Sequence, residues 1–175
     1  DLQKVPQLQS CRVSINISPK QFAAATFASD VLQVLADYGI APSKLHLELT
    51  ERLLLENSAD VLAKMRQLNE AGISFSLDDF GTGFSSLSYL DKLPVDRLKI
   101  DRAFVTQIDT SAGPRIAELI TQLGKKLNVK IIAEGIETEL HWDVLQKMGC
   151  DEGQGFLIAR PMLESAIEPW LREWK

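Results

Sequence analysis

Eight polar residues in this sequence fall at or near the ends of short apolar runs: Asn16, Glu48, Asp78, Asp79, Lys99, Asp101, Glu134 and Gln154. If those runs are parallel strands, their carboxyl ends emerge on one face, where βα loops build active sites. Polar strand ends alone mean little, because every strand must leave its core for water. The residue types say more. Carboxylates and carboxamides dominate, with a single lysine, and oxygen ligands of this kind suit hard divalent cations such as Mg2+ or Mn2+. Several carboxylates at one mouth repel each other, and any phosphate, unless cations sit between them. Two cations on shared carboxylates are a known arrangement for phosphodiester hydrolysis, clamping the attacking and leaving oxygens. Adjacent Asp78 and Asp79 can serve such a pair if strand alternation aims one inward and the following turn swings the next back toward the mouth. The plain alternative is that Asp78 caps that turn. Histidine stands apart: His46 lies inside an apolar run and His141 in a helical one, and a structural role is the better reading of both.

Directly after Asp79 comes Phe80-Gly81-Thr82-Gly83-Phe84-Ser85-Ser86-Leu87. Two glycines around a threonine permit positive φ and movement. The run is neither GxxxxGK[ST] nor GxGxxG, so a phosphate cradle is the weaker reading and a mobile loop bordering the site the stronger.

The elements that must position these residues alternate short apolar runs with longer amphipathic ones, the pattern of a parallel sheet covered by helices. Strands are expected at 12–16, 45–49, 73–78, 95–100, 129–133 and 153–157. Helices are expected at 27–38, 56–71, 115–127, 139–148 and 163–174, with Gly72 and Gly149 closing the second and fourth. Trp170 and Trp174 in the last read as packing residues. Six strands fit an open doubly wound sheet, whereas a closed (β/α)8 barrel needs eight and typically about 250 residues. Periodicity leaves that choice open.

Composition narrows the classes. The chain has 175 residues, 45% hydrophobic and 25% charged, enough for one substantial core and with no linker dividing it. A net charge of -5 argues against binding DNA or RNA polymers through many phosphates. No apolar run approaches the ~20 residues of a membrane span, and the opening Asp1-Leu2-Gln3-Lys4 lacks the apolar stretch of a signal peptide. Cys11 and Cys150 have no zinc-type spacing, which points to reduced thiols in a cytoplasmic setting.

The motifs also carry a resemblance. Val13-Ser14-Ile15-Asn16-Ile17-Ser18, Leu47-Glu48-Leu49-Thr50-Glu51, Leu77-Asp78-Asp79-Phe80-Gly81-Thr82-Gly83, Leu98-Lys99-Ile100-Asp101, Ala133-Glu134-Gly135-Ile136-Glu137-Thr138 and Gln154-Gly155-Phe156 resemble, in order, the motifs of EAL domains. The resemblance implies a TIM-like (β/α)8 barrel with one antiparallel strand. It also implies hydrolysis of the bacterial second messenger cyclic di-GMP to linear pGpG with Mg2+ or Mn2+ at a two-metal site, Ca2+ being inhibitory. By this resemblance Asn16, Glu48 and Asp78 are similar to ligands of the first metal, with Asp78 bridging, and Asp79 to a ligand of the second. Glu134 is similar to a glutamate that binds metal or acts as base, and Lys99 to the lysine that orients and activates the attacking water. Glu137 and Gln154 match positions supporting that water and the site. Glu51 resembles the glutamate that holds the Gly81–Ser86 loop, a loop also associated with homodimer formation.

The Glu-Ala-Leu signature that names the family is absent. The resemblance places it on a strand upstream of Asn16, so residues 1–175 read as a single EAL domain incomplete at its N-terminus. On this reading the first two strands, and one glutamate ligand of the first metal, lie outside the sequence. Upstream sensory or GGDEF-type diguanylate cyclase domains are expected partners within a longer protein, which they can anchor to a membrane. The main alternative is a catalytically inactive cyclic di-GMP receptor or a regulatory or dimerisation module. A different barrel enzyme such as an aldolase would need Lys99 as a Schiff-base nucleophile, a poor fit beside so many carboxylates.

Overall fold

The structure, a computed structural model, describes residues 8–55, 58–83 and 90–173. Its centre is a six-stranded sheet: β1 (Val13–Ile17), β2 (Leu45–Thr50), β3 (Ser74–Phe80), β4 (Arg97–Ile100), β5 (Lys130–Glu134) and β6 (Glu152–Gln154). Every pairing is parallel and the strands lie in sequence order. That order has no switch point, which removes the doubly wound alternative and leaves consecutive units of a barrel wall. The antiparallel strand implied by the resemblance is not among these six.

Alternation along the strands divides two environments. In β2, Leu45, Leu47 and Leu49 are buried on one face, and His46, Glu48 and Thr50 occupy the other. The apolar face packs under helices whose burial follows helical spacing. In α3 (Ser58–Glu70), Val61, Met65 and Leu68 turn inward; in α5 (Arg115–Leu127), Ala117, Ile120 and Gly124 do. In α2 (Phe27–Asp37) the inward residues are Ala28 and Leu35, while Val34 points to solvent. Each fully buried aliphatic side chain in this layer contributes about 1.5–3 kcal/mol relative to exposure. The outer face of β1 is different, with Val13 and Ile15 exposed.

Helix ends follow local chemistry. α6 (Glu139–Met148) starts with the Thr138 hydroxyl accepting from the His141 N–H and stops at Gly149, whose φ of 84° suits glycine. Two short helices add to the sequence expectation. In α1 (Pro19–Phe22) Ser18 and Gln21 form a reciprocal capping box. In α4 (Arg102–Val105) the Asp101 carboxylate accepts from the Ala103 N–H at 2.7 Å. The last helix is α7 (Glu164–Glu173); Trp170 on it is half-buried, and Trp174 lies outside the described residues.

The sixth strand is shorter than expected, ending at Gln154 rather than 157. A Cβ on Gly155 would stand 2.6 Å from the carbonyl carbon of Ile136, so only glycine passes there. The chain then turns, with the Leu157 N–H donating to Ile136 O at 3.0 Å and the Ile158 N–H to Gly155 O at 3.0 Å. Neither Cys11 nor Cys150 is in a disulfide. Among the described residues no helix is long and apolar enough to cross a membrane.

Candidate active site

At the carboxyl end of the sheet, Lys99 of β4 is the hub. It is 4% exposed, and its ammonium pairs with Glu48 of β2, with Asp78 Oδ1 of β3 at 3.1 Å and with Glu134 Oε1 of β5 at 2.6 Å. The three carboxylates present oxygens within 4.8 Å of one another. β2 and β5 are three strand spacings apart, roughly 14 Å on a flat sheet. Glu48 and Glu134 meet because the sheet curls and brings its inner face to a focus. Asp101, two residues on from Lys99, does not join this cage; its carboxylate caps α4 instead.

The charges act on one another. Burial works against the Lys99 ammonium, but hydrogen bonds to Glu134 and Glu48 and the charges of Glu134 and Asp78 outweigh it and push its pKa up. Burial raises the pKa of Glu134, Lys99 pulls it down, and Asp78 and Glu48 add to the rise, leaving it above the usual range. Asp79 is raised as well, first by burial, then by the charges of Asp78 and Asp101.

Asp78 joins the cluster, whereas Asp79 is outside the group of three and sits next to it at a backbone irregularity, not at a strand end at 78. β3 runs on to Phe80, but its register against β4 shifts between Leu77 and Phe80, and Asp79 sits at φ 54°. Such an irregularity re-aims side chains that alternation would send to opposite faces. Asp78 Oδ1 also accepts from the Asp79 N–H at 3.1 Å, so the local cap and the contact with Lys99 coexist.

Glu51, just past β2, is 3% exposed and lies under the glycine-rich segment. Its Oε2 accepts from the Gly81 N–H at 3.0 Å and the Gly83 N–H at 3.4 Å, while Oε1 is buried without a hydrogen-bond partner among the described residues. Residues 84–86 of the expected Gly81–Ser86 loop lie outside the described residues. Asn16 and Gln154 flank the centre, in register with Glu48 and Glu134 respectively, both with exposed side chains. Glu137 pairs with Arg102 at 2.6 Å.

Both histidines are buried. His46 Nδ1 lies 2.6 Å from Ser74 Oγ, and burial followed by the Arg97 charge lowers its pKa. His141 lies between Asp109 and Glu137. Arg102, His141 and Asp109 were not evident as neighbours of the site from sequence; the one available signal for Arg102 was its place directly after Asp101, at a strand end.

A curled, all-parallel α/β wall with an acidic, lysine-centred site at its strand ends is the arrangement of a TIM-like barrel enzyme. Comparison with known proteins agrees. A sequence model described as EAL domain matches residues 1–161, and the chain belongs to this family. It is 42% identical over 151 residues to the bifunctional diguanylate cyclase/cyclic di-GMP phosphodiesterase MucR of Pseudomonas aeruginosa, covering 86% of this chain and 22% of MucR. The chain thus spans about a fifth of that relative's length. The solved PaMucR phosphodiesterase in complex with c-di-GMP superposes with a TM-score of 0.86 at 41% identity, over 89% of this chain and 64% of that one. Klebsiella pneumoniae BlrP1 in its manganese/cy-diGMP complex gives a TM-score of 0.79 at 28% identity, over 90% and 40%.

Proposed function

We propose that this chain supplies the catalytic wall of a phosphodiesterase that hydrolyses cyclic di-GMP to linear pGpG. The observation that carries the reading is the Glu48–Asp78–Lys99–Glu134 cage, drawn from four strands, with Asp79 next to Asp78 in the chain and under its charge. The donor set fits a hard divalent cation: three carboxylate oxygens within 4.8 Å, with a cation, the ammonium, already favoured among them. Glu48, Asp78 and Glu134, with Asn16 and Asp79 at the margin, would hold Mg2+ or Mn2+. Bound there, such an ion supplies Lewis acidity to the phosphodiester and lowers the pKa of water. The relatives' names, and the ligands in their solved complexes, support the choice of substrate and of metal.

The chain's own residues divide the remaining work. With its pKa raised, Lys99 stays protonated near neutral pH, so it donates hydrogen bonds and balances charge; it does not take a proton. Glu134, held above the usual carboxylate range, is the better proton acceptor. Water adds to one phosphorus, the bond from that phosphorus to the 3′ oxygen breaks, the water's proton passes to Glu134, and the departing 3′ oxygen takes up a proton from solvent. Glu51 fixes the Gly81–Gly83 backbone at the border of the site, and the loop that follows is the region proposed for contact between two copies of the domain.

The test is an assay for pGpG in the intact protein with Mn2+ or Mg2+, with Ca2+, and with chelator. Turnover with the first two, little with Ca2+ and none with chelator is expected, and Asp78→Asn should abolish it. Tight binding of cyclic di-GMP without pGpG under every condition would replace this reading with the receptor alternative.

A further inference from the structure

The loop from Glu134 to Thr138 is tied down at several points. The Ile136 N–H donates to Gln154 O at 3.1 Å, and Ile136 O accepts from the Leu157 N–H. Gly135 has φ 71°, and a Cβ there would stand 2.8 Å from Arg102 Cβ and 2.9 Å from its Cδ, so loop and arginine stem are moulded together. Arg102 Nη2 then reaches Glu137 Oε1 at 2.6 Å, but the two side chains are 60% and 36% exposed. Pairs that open to solvent hold about 0–1 kcal/mol, too little to set a carboxylate's position alone.

The stronger anchor is His141, 2% exposed and in the first turn of α6. Its Nδ1 lies 3.3 Å from the backbone N of Glu137 and its Nε2 lies 2.8 Å from Asp109 Oδ2. A backbone N–H only donates, so Nδ1 accepts; the ring proton is then on Nε2, where Asp109 accepts it. The backbone N–H of His141 donates to Thr138 Oγ1 at 3.1 Å. The Asp109–His141–Glu137 chain therefore joins the segment after β4 to the loop after β5, the two strands that carry Lys99 and Glu134.

We propose that His141 is a positioning residue: locked by Asp109 into the tautomer whose Nδ1 accepts, it holds the Glu137 amide and, with Arg102, fixes where the Glu137 carboxylate stands. It acts through Glu137 and not on the reacting atoms. The kinetic consequence rests on the phosphodiesterase reading above, with Glu137 supporting the attacking water, whereas the hydrogen-bond chain does not.

The experiment compares His141→Leu with His141→Asn in the intact protein. Leucine fills the space without an acceptor; asparagine sets an amide oxygen close to where Nδ1 stands. In the leucine variant kcat for cyclic di-GMP should fall about ten- to a hundredfold, the scale of a misplaced catalytic group, with KM little changed. Asparagine should restore most of the loss. Hydrogen exchange at the Glu137 amide should be slow in the parent and the asparagine variant and fast in the leucine variant, and imidazole 15N shifts should report the proton on Nε2. Asp109→Ala, at a partly exposed turn, serves where leucine unfolds the protein: it should mix the tautomers and lower kcat to a smaller extent. Equal kcat and equal Glu137 exchange across all variants, or a proton found on Nδ1 in the parent, would overturn the proposal. A parent that does not hydrolyse cyclic di-GMP defeats the functional reading alone. Exchange and tautomer then decide positioning by themselves: protection lost with leucine and kept with asparagine supports it, and protection unchanged refutes it.

Discussion

Lys99→Met removes the ammonium and keeps most of the stem, leaving Glu48, Asp78 and Glu134 to face one another within 4.8 Å. At an effective dielectric of about 20, two unit charges at that separation repel by about 3.5 kcal/mol. Three such pairs approach the whole stability of a typical domain, about 5–15 kcal/mol, so the carboxylates cannot all stay ionised. One takes up a proton instead, at about 1.4 kcal/mol for each unit its pKa is forced up. Removing one member of a buried pair costs about 3–5 kcal/mol. The carboxylate side chains retain 11% to 21% exposure, which places the expected loss at the lower end, about 3 kcal/mol. The assay is urea unfolding with chelator at pH 7.5 and at pH 5. A carboxyl whose folded pKa is raised loses stability as pH rises through the interval between its unfolded and folded values, so the variant's deficit should shrink at pH 5. Part of that slope exists in the parent, where Glu134 is already raised. The lysine works the other way: its raised pKa stabilises the fold at all pH below the ordinary lysine value, and the benefit is lost only as pH rises beyond it. Mn2+ should stabilise the variant more than the parent, since it replaces the missing positive charge. Equal stability at pH 7.5, or a deficit that does not narrow at pH 5, would refute this account of the cage.

Three further outcomes are expected. Glu51→Ala strands the Gly81 and Gly83 N–H groups, a loss of about 1–3 kcal/mol, and hydrogen exchange at both amides should accelerate at least tenfold; unchanged exchange would show that the carboxylate does not hold the loop. Gly155→Ala drives a methyl into the Ile136 backbone, which has no rotamer to yield, and should cost about 3 kcal/mol in chemical denaturation. Burial pushes the Cys150 thiol up to about 11, so iodoacetamide at pH 8 should label it roughly a hundredfold more slowly than a thiol of ordinary pKa.

How far the sequence was legible depended on the length of each signal. The helices expected at 115–127 and 139–148 occupy those residues, because their apolar spacing runs for several turns and Asn128 or Gly149 ends them in a left-handed cap. The strands of the first five runs lie within two residues of expectation, since the apolar alternation is plain in each, although only β2 to β5 bury that face and Val13 and Ile15 of β1 stay exposed. The sixth misled because Phe156 and Leu157 continue an apolar pattern, while the limit at Gly155 is the nearness of another backbone, which no periodicity records. α1 and α4 are too short for a helical period and announce themselves only by their caps, Ser18 and Asp101. Within the site, residue types at strand ends pointed to Glu48, Asp78, Lys99 and Glu134, because a parallel sheet brings such ends together. Asp109 and His141, 32 positions apart, meet through the packing of α6 on the segment after α4. That contact is tertiary and has no local mark.

Asp79 carries a cost that points beyond the site. At φ 54° it occupies a region where glycine is at ease and asparagine tolerable, and where a carboxylate side chain gives up about 1 kcal/mol. Heat-tolerance screening of this domain would therefore be drawn to position 79, favouring glycine or asparagine for reasons of backbone alone. Any such winner would trade away one of the two adjacent carboxylates at the mouth. A library ranked by melting temperature would thus enrich proteins without the Asp79 carboxylate that the proposed function sets beside the metal site, and position 79 should be held fixed before such a selection begins.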